Sequence, residues 1–126
     1  MISVALALGV AYAQEPSVQK MIGTWKGKLD VHDDPDQTLV IKSIVQEGGI
    51  WIANIEYGPT GKTLSAMPAR VEKQGGATTL SFPLSATRKM ELSLISEREL
   101  RGLLKISVDG SWVGRKLILQ KTPDKP

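Results

Sequence analysis

Over most of its length the chain alternates apolar and polar residues with a period of two, interrupted by short clusters of Gly, Asp, Pro and Ser. In Arg88 to Ile95, Met90, Leu92 and Leu94 share one face while Lys89, Glu91 and Ser93 take the other. Trp51, Ala53, Ile55 and Tyr57 alternate with Ile52, Asn54 and Glu56. Leu100, Leu104 and Ile106 form one set with Gly102 in line, and Val113, Leu117 and Leu119 form another, with Ile118 interrupting its polar face. A period of two places successive side chains on opposite faces of a strand, so these segments predict half-buried β-strands. No segment holds a 3.6-residue apolar stripe for three turns. Two segments are ambiguous: Thr38 to Gln46 is apolar on both faces, and Lys62 to Lys73 carries Pro68. That proline has no N–H for a ladder, which predicts a bend, a bulge or a local edge.

Seven turn signals separate the segments: Asp33–Asp36, Glu47–Gly49, Gly58–Gly61, Gln74–Gly76, Ser85–Thr87, Ser96–Arg98 and Asp109–Gly110. Gly-Gly and Asp-Gly supply the positive φ angles of two-residue hairpins. Successive signals lie roughly 11–15 residues apart, near the spacing of hairpin-connected strands. Eight strands joined only by short hairpins predict an all-β domain, an eight-stranded antiparallel up-and-down barrel. A β-sandwich is the alternative, although its Greek-key crossings call for a longer connection than any visible here.

The chain ends are assigned by composition. Residues 1–13 are uncharged and largely apolar and close on Ala11-Tyr12-Ala13, whose small residues suit signal-peptidase cleavage after Ala13, although no Lys or Arg precedes them. The expected organisation is a signal peptide over 1–13, a linker over 14–20, the barrel over 21–122 and a tail over 123–126. This predicts a secreted or periplasmic protein.

Composition narrows the chemistry. The 126 residues include no cysteine and one histidine, with a net charge of +3. The missing thiols exclude a disulfide framework, a thiolate zinc site and a cysteine nucleophile. Basic residues are scattered without interleaved aromatics, unlike a nucleic-acid groove, and no apolar run is long enough for a membrane span. His32 stands in Val31-His32-Asp33-Asp34-Pro35-Asp36, a composition that suits an exposed turn better than a triad, and the cluster lacks the spaced ligands of a calcium loop. Gly58-Pro59-Thr60-Gly61-Lys62-Thr63 ends like a phosphate loop but lacks the upstream glycine and the following helix. The expectation is a non-enzymatic protein with no metal and no cofactor.

Each tryptophan follows a glycine by two residues, in Gly23-Thr24-Trp25, Gly49-Ile50-Trp51 and Gly110-Ser111-Trp112. For the last two, a glycine ending a hairpin before a strand-forming tryptophan is a sufficient account. The first resembles the lipocalin signature, and Trp25-Lys26-Gly27-Lys28-Leu29 looks like the Trp-x-Gly-x-Leu start of lipocalin-like modules in bacterial envelope proteins. The resemblance in pattern covers residues 21–122, and the chain departs from typical lipocalins in having no cysteine for their disulfide. It implies that Gly23, Trp25 and Lys121 form a structural signature, with Trp25 plugging the closed barrel end and Lys121 packed across its ring.

Two functional readings follow. Arg115 interrupts the apolar Val113/Leu117/Leu119 face. Inside a barrel it needs a partner, and a fatty-acid carboxylate fits its bidentate fork; near the mouth it simply reaches water. The first reading is binding of a small hydrophobic or anionic lipid-like ligand, with Arg115, Trp51 and Tyr57 as candidate contacts. The second is a protein-binding accessory module or an inhibitor of a secreted hydrolase. It is favoured if Leu29, Leu80, Phe82, Leu84, Met90, Leu92, Leu94, Leu104 and Leu117 fill the interior.

Overall fold

The computed structural model describes residues 18–30, 35–74 and 76–123. Eight strands follow in order: β1 (Gly23–Leu29), β2 (Gln37–Glu47), β3 (Ile50–Pro59), β4 (Ser65–Gln74), β5 (Ala77–Ser85), β6 (Arg88–Ser96), β7 (Glu99–Val108) and β8 (Ser111–Lys121). Each pairs antiparallel with the next, and β8 returns to β1, so the sheet closes as an up-and-down barrel. Closure satisfies the edge groups that an open sheet of this length would expose.

The turns lie where the pattern places them, with one shift: Gly58 and Pro59 belong to β3, and the β3–β4 connection runs over residues 60–64. His32 and the Asp33–Asp34 part of the first turn lie outside the described residues, as do residues 1–13. Both ambiguous segments have physical explanations. The β2–β3 register shifts between Ile41 and Ser43, and this bulge reverses the alternation of β2. Leu39 and Ile41 therefore point inward before it and Ile44 after it, all buried. Pro68 lies opposite Asn54 of β3, but the β4–β5 ladder ends at the Arg70–Ser81 pair, so Pro68 stands at a local edge where the two strands part.

Leu39, Ile55, Leu80, Met90, Leu92, Leu100, Leu117 and Leu119 fill the lumen, each at most 1% exposed. The alternating apolar sets of all eight strands converge in this one core. Two inward positions must be glycine. A Cβ on Gly27 would lie 1.8 Å from the Ile118 carbonyl oxygen, and one on Gly102 would lie 1.9 Å from that of Glu91. Here neighbouring backbones approach too closely for any side chain, as at the tightly coiled corners of a small barrel.

Candidate functional site

The two barrel ends differ. At one end, residues 18–21 turn beneath the strands, with the Met21 N–H donating to the Val18 carbonyl at 3.0 Å. Val18 and Met21 are fully buried, so ordered packing already begins within the stretch assigned as linker. The Trp25 indole N–H donates to the Met21 carbonyl at 2.9 Å, tying the strand to the plug. The Lys121 ammonium lies 5.7 Å from the Trp25 ring centroid and donates to the Lys20 carbonyl at 2.6 Å. A Cβ on Gly23 would meet Cε of Lys121 at 2.7 Å, so glycine leaves the channel through which the lysine crosses the ring. Glu97, paired with Lys20, covers this end from outside, and the Lys20 ammonium holds its carboxyl below the usual carboxylate range.

The other end is open among the described residues. Its inward-facing lining of Leu29, Met67, Leu84 and Ile106 is only partly buried, and Val113 is exposed. Arg115 stands here opposite Leu104, in inward phase but exposed. Arg88 holds the same phase on β6, two residues before Met90, and lies opposite Ile106. Neither guanidinium makes an ion pair or hydrogen bond among the described residues. From two strand spacings and a two-residue offset, their Cα atoms stand roughly 12 Å apart across β7. Two extended guanidinium forks converge over such a gap on a single carboxylate or phosphate.

The three expected ligand contacts do not meet. Tyr57 is buried near the open end, donating its hydroxyl to Oε1 of Gln37 at 2.8 Å and packing against Phe82 with ring centroids 5.6 Å apart. Trp51 is half-buried at the closed end beside Val71, six residues away along β3 or roughly 20 Å. Of these three, Arg115 alone brings a charged group to the mouth. Sequence reading missed Arg88, although its signal was present: it continues the Met90/Leu92/Leu94 alternation back into the residue that follows the turn.

The outer wall carries a separate feature. Where β4 and β5 part, a groove of about 410 Å³ opens, with Ala69, Phe82 and Met90 at its floor and Ile52, Pro68 and Pro83 along its sides. Its volume falls within the range of small-molecule sites, but it lies outside the lumen. No protein-family model matches the chain, and comparison with curated proteins finds no match.

Proposed function

We propose that this chain is an exported, non-enzymatic lipocalin-like binding protein whose ligand is a small, anionic, lipid-like molecule held across the open mouth. The observation that carries the reading is the pair Arg88 and Arg115: unpaired cations in inward phase above the partly exposed Leu29, Leu84 and Ile106. An amphiphile matches both halves of this surface, its acid between the guanidinium groups and its tail on the apolar rim. The lumen beneath is filled, so the ligand lies in the mouth and does not thread the barrel. The Trp25–Lys121 closure at the far end supports the lipocalin-like assignment. Displacement of a fluorescent fatty acid, with native mass spectrometry, tests the reading. Saturable binding is expected, lost in the R88A/R115A variant and partly retained with lysines. An unliganded protein that displaces nothing, or a double-alanine variant that binds as well as the parent, overturns it.

A second reading, a protein-binding accessory module, is favoured by the parting of β4 and β5. The ladder stops at Arg70 and Ser81, leaving backbone groups of both strands beside the 410 Å³ groove, where an extended segment of a partner adds as a strand. Recovery of an envelope partner by the parent chain but not by an I52E variant supports this reading. Equal recovery by both counts against it.

A further inference from the structure

Among the described residues, the β7–β8 hairpin extends beyond both of its neighbours. The β6–β7 ladder ends at the Arg88–Ile106 pair, and the β8–β1 ladder ends at the Leu117–Leu29 pair. One further backbone bond follows on each side, from the Ser107 N–H to the Thr87 carbonyl at 2.8 Å and from the Asp30 N–H to the Lys116 carbonyl at 2.9 Å. Among the described residues, 108–113 therefore form a two-stranded arm whose backbone pairs only with itself, closed by the Asp109-Gly110 turn. On this arm Val108 is 51% exposed, Trp112 48% and Val113 45%. Val108 and Val113 share the face of Leu104 and Ile106 while Trp112 takes the opposite face, so the hairpin tip is apolar on both sides. These exposed side chains have a reason beyond folding, because the core gains nothing from them.

Their surroundings are basic. Arg88, Lys89, Arg115 and Lys116 flank the arm, with Lys105 at its base, and they outnumber Glu91 and Asp109. The Lys89 ammonium lies 4.4 Å from the Trp112 ring centroid and reaches Glu91 only at 3.9 Å, whereas Lys105 reaches Glu91 at 2.8 Å. Asp30, whose N–H meets the Lys116 carbonyl, adds a third acid beside the five cations, and Asp36 sits 3.4 Å from Lys28.

We infer that this hairpin docks the protein on an anionic lipid surface, with Val108, Trp112 and Val113 entering the interface and the basic collar meeting the headgroups. Indole rings settle at headgroup depth, aliphatic tips bury just beneath, and lysine and arginine beside them draw the protein to anionic leaflets. A protein partner fits less well: three side chains present far less area than the roughly 800 Å² per side of a stable protein interface. Docking needs no ligand in the mouth, although it shares Arg88, Arg115 and Val113 with the proposed amphiphile site and would present that mouth to the bilayer.

The test is co-sedimentation of the full chain with phosphatidylcholine vesicles, with and without phosphatidylglycerol, at low and at physiological salt. Binding is expected only with the anionic lipid and weakens with salt, as charges beyond a Debye length are screened. The V108S/W112S variant, altered at exposed positions and checked for native circular dichroism, loses roughly tenfold or more in vesicle affinity as its interfacial burial disappears. It retains the fatty-acid displacement of the parent chain, which separates failure of docking from failure of the mouth site. The W112F variant still sediments but loses the vesicle-induced blue shift of tryptophan emission, since Trp25 is buried and Trp51 lies at the opposite end. The inference is overturned if anionic vesicles fail to bind at low salt, if neutral vesicles bind equally, or if V108S/W112S binds like the parent.

Discussion

Replacing Gly102 by alanine adds one methyl group at the point where β6 and β7 come closest. That methyl would lie 1.9 Å from the Glu91 carbonyl oxygen and 2.7 Å from the Leu92 Cα, against 3.4 Å or more for ordinary contact. Both obstacles are backbone, so no rotamer change relieves them, and the strands must separate by roughly 1.5 Å. Such a shift breaks about two ladder hydrogen bonds at about 1 kcal/mol each. It also disturbs the packing of fully buried Leu92 and Leu117, at about 1–3 kcal/mol for an overpacked core. The expected loss is about 3–5 kcal/mol, a large share of the roughly 5–15 kcal/mol that holds a domain folded. In a thermal scan this lowers Tm by roughly 15 °C or more. The control is Gly114→Ala on the same hairpin, whose methyl would meet only the Leu103 side-chain methyls at 3.3 Å. Those atoms can move, so G114A should remain within about 1 kcal/mol of the parent. Urea denaturation followed by circular dichroism measures both. If G102A unfolds within about 1 kcal/mol of the parent, or if the two variants are equally damaged, steric exclusion is not why Gly102 is there.

Lys121→Met keeps the aliphatic stem over Trp25 but removes its charge and its donor to Lys20, so the closed end should lose about 1–2 kcal/mol by urea denaturation; an unchanged midpoint would show that the ammonium is solvated and idle. The Glu97 carboxyl titrates below its usual value in the folded state because of Lys20, so its contribution is present above the ordinary carboxylate range and fades as pH falls through the folded-state value. Glu97→Gln should therefore be less stable than the parent near neutral pH, with the difference vanishing in acid. A gap between their melting curves that stayed constant or widened on acidification would contradict the assignment.

Much of the barrel was legible along the chain because local chemistry marks both of its repeating parts. Gly48-Gly49 and Asp109-Gly110 announce hairpins through the backbone angles they permit, and the Met90/Leu92/Leu94 alternation announces a strand with one wet face. Thr38 to Gln46 was opaque for an equally local reason: a single extra residue near Lys42 shifts the phase, and apolar residues then occupy both parities. Pro68 announced a bend, a bulge or a local edge, and the strand pairing decided for an edge against β5 and not β3.

The candidate site was less legible. Arg115 stood out as a charge on an apolar face, whereas Arg88 looked like an ordinary turn-flanking residue until β6 and β8 were set on either side of β7. Trp51 and Tyr57 share a face in sequence, yet that face runs the height of the barrel, so they lie near opposite ends of the strand. By itself, the sequence determined the number of strands, their order and most of their inward faces, since these depend on neighbours two residues away or on a turn. Tertiary structure decided which end is plugged, where the wall parts, and which cations gather at the mouth and beneath Trp112. These depend on barrel closure and shear, which bring together strands distant in the chain.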